Sequence, residues 1–428
     1  NEMIYTYRLI SLILYPLLIL IIYLRKILNK EDKVRFKEKL FYSSFLNNFD
    51  SSKKLIWFHA ASIGEVQSII PIINQLNKKS DKLNFLITTI TLSSGRFIEE
   101  EFRSNGNIAH RYLPLDINFL IKRFISIWNP YAVFLVDSEI WPNLILNLND
   151  RGVPISIING RLTKKSFKRW KMFSKLAYKI FSKFDLILTS NLESKSYFNE
   201  LGGKNIYHFG NIKFLSKTNF SEVRNKSENV LNAKNVWCAT STHNNEEEFC
   251  VKAHIKLIQK IANVLTIIIP RHIERSNQIK KICLNNGLKT QVINRNDKIL
   301  NNTEIAIINS FGVLPEYLKY ARSALIGKSL LKKLKNDGGQ NPILAAQMGC
   351  RIYHGPYVSN FTDIYNFLKN ENLCEEIFTV NDLADNLIND FKVKKDLNQT
   401  KEIFDRIGEI ILKKTFKEIN NLLNYENL

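Results

Sequence analysis

Residues 55–75 read LIWFHAASIGEVQSIIPIINQ, and three kinds of local structure follow one another within them. Leu55 to His59 is an apolar run that reads as a buried strand. Ala60 to Gly64 are small turn residues, and a helix opens at Glu65. A strand whose carboxyl end passes through such a turn into a helix is a place where open α/β sheets bind ligands. The unpaired N–H groups of the helix start favour anions there. Ser62-Ile63-Gly64-Glu65 fits the S-x-x-E capping box, in which Glu65 bonds back to the Ser62 amide. The same carboxylate at the lip of a ligand site fits a general base, kept ionised by the helix dipole. Local pattern leaves both roles open.

Outward from this stretch the alternation continues. Phe85 to Thr91 leads into a helix through Phe102, Arg111 to Leu115 is short and extended, and Tyr131 to Val136 leads into Asp137-Ser138-Glu139 and Pro142. Pro154 to Ile158, Leu186 to Thr189 and Asn205 to Phe209 follow. The polar stretch Ser216 to Asn232 lacks a period and reads as a connection. The pattern then restarts with Asn235 to Ala239, Leu265 to Pro270, Thr290 to Ile293, Ile305 to Ile308, Ser323 to Ile326 and Arg351 to His354. This βα alternation predicts parallel, doubly wound sheets. The expected organisation is an anchor over 1–30, a Rossmann-like domain over 31–215, a linker over 216–234 and a second Rossmann-like domain over 235–400. An amphipathic C-terminal helix over 401–428 completes it. Two such halves suggest a ligand cleft between them.

The 428 residues suffice for two domains, and the net charge of +21 fits an anionic membrane, an acidic substrate or nucleic acid, or simply a lysine-rich composition. Five widely spaced cysteines contain no C-x-x-C pair, which argues against a zinc site and for a reducing compartment. Leu9 to Leu24 is almost wholly apolar, with Arg25, Lys26 and Lys30 after it. The run is shorter than the roughly 17–25 residues of a span, and including Ile4 to Tyr7 brings it to length. No small-residue cleavage site follows, so an uncleaved single-pass anchor is expected, with the rest of the chain in the cytoplasm.

Several later stretches carry chemistry of their own. Asp137 and Glu139 stand at a strand end, where they either serve the site or cap the helix after Trp141. Thr240-Ser241-Thr242-His243 precedes Glu246, Glu247 and Glu248; hydroxyls and amides at such a turn hold phosphate, and the glutamates read as a solvated face. Arg271 follows an apolar strand, where it either serves the structure or neutralises a phosphate leaving group. Gly338-Gly339-Gln340-Asn341-Pro342 reads as a helix start with Asn341 at the N-cap and Pro342 at N1. Thr163 to Phe184 reads as a basic amphipathic helix, suited to an anionic lipid or equally a solvated lysine face. No recognised nucleic-acid motif appears, so nucleic acid is not an expected partner.

Taken in order, WFHAASIGEVQSIIPII, ITTITLSSG, YLPLDI, DSEIWPNLI, INGRLTKKS, FGNIKF, ATSTHNNEEE, IIPRHIER, GGQNPILAA and HGPYVSNF resemble one family, the Kdo (3-deoxy-D-manno-octulosonic acid) transferases of lipopolysaccharide synthesis. The resemblance implies a GT-B fold, an inner-membrane location, a CMP-Kdo donor and a lipid A precursor (lipid IVA) as acceptor. It implies Glu65 as general base and Glu139 as a second essential acid. It implies Arg271 at the CMP portion, with Lys213, Ser241, Thr242, Gly339 and Asn341 around the nucleotide phosphate and sugar. No metal and no cofactor are implied. This chain departs from the pattern at Gln340, where histidine is usual, and at Leu344, where glutamate is usual; leucine cannot hold a ribose hydroxyl. Lys328 and the stretch Leu331 to Asp337 form a longer, more basic loop than the family's. The other readings are a GT-B transferase with another nucleotide sugar, or a catalytically silent membrane-attached nucleotide-binding protein.

Overall fold

The computed structural model describes all residues except 1, 48, 50–51, 217–222, 336 and 424–428. Two compact units emerge. The first comprises Asn1–Ser216 and Ile407–Leu428, the second Lys217–Arg406.

In the first unit seven strands are β1 (Lys54–His59), β2 (Leu83–Thr89), β3 (Ile108–Tyr112), β4 (Ala132–Val136), β5 (Ile155–Gly160), β6 (Leu186–Thr189) and β7 (Ile206–His208). They pair in the order β3-β2-β1-β4-β5-β6-β7. Every pairing is parallel. β2, β4, β5 and β6 are buried at every position, which is why they read as continuous apolar runs rather than alternating ones. Trp57, Phe124 and Trp128 anchor the core between β1 and the helix Asn118–Trp128.

The second unit repeats the plan with β8 (Asn235–Thr242), β9 (Val264–Pro270), β10 (Thr290–Ile293), β11 (Ile305–Ile308), β12 (Ser323–Ile326), β13 (Arg351–His354) and β14 (Cys374–Glu376). Their order is β10-β11-β9-β8-β12-β13-β14, again parallel throughout. In each unit the chain starts at a central strand, winds to one edge, and then returns to build outward on the other side. The reversal falls between β1 and β4 in the first unit and between β8 and β12 in the second. Such switch points open a crevice at the carboxyl ends of the strands.

Three expectations shift. Residues 217–222 of the expected linker lie outside the described residues. The rest of that stretch belongs to the second unit: it carries the short helix Glu228–Asn232, and the Ser227 hydroxyl accepts the Ile299 N–H at 2.8 Å. The C-terminal helix starts earlier, at Leu397, and runs to Leu423. It is no separate element, because from Ile407 it packs into the first unit: Ile411 closes on Gly210, the Lys79 ammonium lies over Phe416, and Tyr131 donates to the Leu423 carbonyl. The basic segment is two helices, Lys164–Met172 and Ser174–Phe181, broken at Phe173. Burial of Phe167, Ala177, Ile180 and Phe181 turns each helix inward, while Lys164, Lys165, Lys168, Arg169, Lys171 and Lys175 stay exposed.

Candidate active site

The first unit gathers Glu65, Asp137, Glu139 and Lys213 at its switch point. The helix Ile63–Lys79 begins after the turn that follows β1, with Ser62 as its N-cap. The Glu65 carboxylate does not reach the Ser62 amide as the capping-box pattern predicts. It accepts the Ala61 N–H at 2.7 Å and the Ser62 hydroxyl at 2.8 Å. The carboxylate thus ties back to the N-cap through the Ser62 hydroxyl and reaches one residue further along the turn, to Ala61. Burial, and next the negative charge of Asp137, push the Glu65 carboxyl above its ordinary value, while the Ser62 and Ala61 bonds and the Lys213 cation pull it back.

Asp137 and Glu139 follow β4. Neither caps the next helix, Pro142–Asn149. That task belongs to buried Asp116, whose carboxylate accepts the N–H groups of Asn143 and Leu144 at 2.9 Å each. The two acids are thereby released to the site. Asp137 accepts Lys213 Nζ at 3.0 Å. Lys213 sits in the turn Ile212–Leu215, which is pinned to the end of β5 by the bond from the Ile212 N–H to the Asn159 side chain at 3.0 Å. Glu139 accepts from His59 Nε2 at 3.0 Å and from the Trp141 indole at 2.7 Å. Behind it runs a buried relay: the Trp57 indole donates to Thr88 Oγ1 at 2.8 Å, and Thr88 Oγ1 lies 2.9 Å from His59 Nδ1. Nδ1 also lies 3.1 Å from the Thr88 carbonyl, so Thr88 holds the ring from behind with its Nε2 facing Glu139. His59 carried little weight in the sequence. Its role follows from the pairing of β1 with β4, which sets it opposite Leu135, close to where the chain leaves β4 for Asp137 and Glu139.

The second unit gathers Ser241, Thr242, Arg271, Gly339 and Asn341. β12 and β8 approach so closely that a side chain at Gly327 would collide with the Ser241 carbonyl. The Arg271 N–H donates to the Thr242 carbonyl at 3.0 Å, and its side chain is exposed. The Thr242 hydroxyl is buried and has no hydrogen-bond partner among the described residues. Gly339, at φ 88°, donates its N–H to the Lys328 carbonyl at 2.6 Å. The helix after Asn341 is short, Ile343–Gln347, with Pro342 rather than Asn341 at its N-cap; the Asn341 side chain accepts the Ile343 N–H at 3.0 Å. Pro342 has no side-chain oxygen to accept a helix N–H, so the asparagine caps from one position earlier.

The glutamates after β8 correct a further expectation. Glu246 and Glu247 are buried rather than solvated. Glu246 accepts four backbone N–H groups: His243 at 2.9 Å, Lys328 at 2.7 Å, Ser329 at 2.9 Å and Leu330 at 3.0 Å. It therefore locks the loop after β12 to the loop after β8. Lys328 adopts φ 60° in this loop and its ammonium pairs with Asp337 at 2.9 Å. Burial, and to a smaller extent the Lys328 cation and His272, hold His243 below its ordinary value against the Ser241 carbonyl and Glu246.

One regularity connects the two crevices. Among described residues other than glycine, φ is positive at seven asparagines and at Asp137, Ser241 and Lys328. Asparagine and aspartate tolerate this region, whereas Ser241 and Lys328 are strained in it, and Asp137, Ser241 and Lys328 all lie within two residues of the carboxyl ends of β4, β8 and β12, the strands that bound the switch points.

Comparison with known proteins agrees with this geometry. A family model described as 3-deoxy-D-manno-octulosonic-acid transferase (kdotransferase) matches residues 34–216. A 3-deoxy-D-manno-octulosonic acid transferase of Haemophilus influenzae is 30% identical over 410 residues, covering 94% of this chain and 92% of the relative. Its namesake from Rickettsia bellii is 30% identical, with 84% of each chain covered. In fold, the chain is similar to a glycosyltransferase from Rickettsia africae, with TM-score 0.55 and 11% identity over 87% of this chain and 99% of that one. It is also similar to a UDP-GlcNAc 2-epimerase from Neisseria meningitidis, with TM-score 0.56 and 12% identity over 87% and 100%. These likenesses place the two seven-stranded units in the GT-B fold expected from the sequence.

Proposed function

The chain belongs to the 3-deoxy-D-manno-octulosonic acid transferase family, and from that premise we propose that it is an inverting glycosyltransferase moving Kdo from CMP-Kdo to a hydroxyl of a lipid A precursor. The observation that carries the mechanism is a carboxylate, Glu65, held at a switch point by two short bonds and raised in basicity by burial and by Asp137. Glu65 takes the proton of the acceptor hydroxyl. The freed oxygen attacks the anomeric carbon as the bond to the phosphate breaks, and CMP leaves with that electron pair. Lys213 neutralises Asp137, so that two carboxylates do not meet the acceptor unbalanced. Glu139, fixed by His59 and Trp141, orients the acceptor sugar. In the second unit Arg271, Ser241, Thr242, Gly339 and Asn341 bind the donor. The test is purified protein with a lipid A precursor and a panel of nucleotide sugars, products followed by mass spectrometry. Addition of Kdo from CMP-Kdo alone is expected; preferential use of a UDP-sugar would overturn the reading.

Lys328 belongs to the same donor site in this reading. It stands at the switch point in a backbone conformation that glycine adopts without strain, so retention of lysine there suits a cation for the donor phosphate. Lys328→Gly should leave the melting temperature unchanged or raised while weakening CMP binding by about tenfold, the loss of one charge-assisted contact. Calorimetric titration with CMP measures this, and equal affinity in the two proteins would remove the assignment.

The enzyme acts at the inner membrane with both units in the cytoplasm. The exposed basic residues from Lys164 to Lys175 meet the anionic lipid. Reversing the charge of Lys164, Lys168 and Lys171 together should reduce co-sedimentation with anionic vesicles while zwitterionic vesicles show no change; no reduction would discard the role.

A further inference from the structure

The N-terminal helix Glu2–Ile27 is long and apolar enough to cross a membrane. Its contacts argue for a different placement. Ile4, Tyr7, Arg8, Ser11, Tyr15, Leu18, Ile19, Ile22 and Lys26 are the positions that bury at least in part, and their spacing of three and four residues marks one continuous face. That face rests on the first unit along its whole length, about 33 Å at 1.5 Å per residue. Ile4 joins the main core cluster, with Tyr15 and Leu18 packed against it. Ile22 joins Phe36 and Leu40, and Tyr23 meets Phe36 edge-on at 5.0 Å.

The polar bonds along the same face are decisive. The Tyr7 hydroxyl donates to buried Asp116 at 2.8 Å, and Arg8 Nε donates to Asn143 at 3.2 Å. Tyr15 donates to the Leu40 carbonyl, and Arg25 pairs with Glu31 at 2.7 Å. Asp116 is also the carboxylate that caps the helix after Glu139, so this contact reaches the frame of the candidate active site. A spanning helix would drag these partners into hydrocarbon, about 30 Å thick, where a carboxylate and irregular backbone are not tolerated facing lipid.

The opposite face tells the other half. Leu9, Ile13, Leu17, Leu20, Leu24 and Ile27 lie along it, each between 50% and 73% exposed. No charged residue interrupts it from Leu9 to Leu24, and exposed Lys30 stands just beyond its end, where lipid phosphates would meet it. We propose that this helix is an in-plane anchor: it lies along the first unit with its apolar face sunk into one leaflet of a phospholipid bilayer, and both its ends remain on the side of the catalytic units. The inference goes beyond the proposed reaction and does not depend on which sugar is transferred.

A topology experiment on the full chain decides it. All five native cysteines are buried and silent to a membrane-impermeant maleimide in the folded protein. Two exposed reporters are introduced separately, Glu2→Cys at the helix start and Lys204→Cys on the first unit. Each is labelled in intact spheroplasts and in inside-out vesicles. Both reporters are expected to label in inside-out vesicles and neither in spheroplasts. Labelling of Glu2→Cys from the face opposite to Lys204→Cys would establish a crossing and overturn the proposal. Recovery of the unaltered protein wholly in the soluble fraction would overturn it as well, while leaving the transfer reaction untouched.

Discussion

Glu65→Gln is expected to lower kcat/KM for Kdo transfer roughly 10³-fold, within the 10²–10⁴ range of a positioned general base. The amide keeps the shape and still accepts the Ala61 N–H, so what is lost is the site for the proton. The pH dependence carries a second signature. Glu65 must be ionised to act, and its carboxyl is raised by burial and by Asp137. Activity should therefore fall as pH drops through that raised value, an acid limb displaced upward from an ordinary glutamate. Lys213→Met removes a cation that lowers the Glu65 value and leaves Asp137 unpaired. The limb should then move to higher pH and activity at neutrality should drop. The sign for stability runs the other way. A carboxyl raised in the folded state favours folding only while protonated, and that contribution is lost as pH rises through the raised value. At neutral pH the ionised Glu65 costs stability, so Glu65→Gln should melt no lower than the parent while losing activity. Unchanged turnover in Glu65→Gln would defeat the mechanism and leave the fold intact.

Glu246→Ala should produce the largest loss of stability, about 3–5 kcal/mol, because four backbone N–H groups then face a cavity without an acceptor. Glu246→Gln separates charge and bonding from volume. It fills the same space, but its NH₂ turns donors toward the donors of His243 and Lys328 or of Ser329 and Leu330. It should cost about 2–4 kcal/mol, far more than an isosteric change at an exposed site. Denaturant unfolding measures both. Stability within about 0.5 kcal/mol of the parent in Glu246→Gln would show that the loop does not depend on this carboxylate. The same variants should weaken CMP binding, since Glu246 fixes the backbone that carries Lys328.

Much of this was legible in the residues. Leu186–Thr189, Thr290–Ile293, Ile305–Ile308, Ser323–Ile326 and Arg351–His354 form strands at the expected residues. Strands of a parallel sheet buried on both faces leave a plain apolar run bounded by turn residues. β3 sits three residues earlier than expected, at Ile108–Tyr112, because His110 and Arg111 take polar partners there: His110 meets Thr89 Oγ1 at 2.9 Å, and Arg111 donates to the His110 carbonyl at 2.8 Å. β14, Cys374–Glu376, went unread because it is a three-residue edge strand with two acids. The buried roles of Asp116 and Glu246 were hidden for a different reason. Both serve N–H groups distant in sequence, and one-dimensional pattern registers only the local offer of an acid to its own helix. Glu65 was visible as an acid at a helix start; what local pattern could not decide was the direction of its bonds.

The last helix gives the chain a history as well as a shape. The first unit takes its closing piece from Ile407 onward, after the entire second unit has been made. On a ribosome working at about 5–20 residues per second, the early half waits roughly 10–40 s for that piece. The surface awaiting Ile411 and Phe416 stays uncovered through that interval, while the second unit already has nearly all of its own sequence. The part synthesised first is completed last, so the newborn protein is most exposed to aggregation and to chaperones at the very domain that bears Glu65.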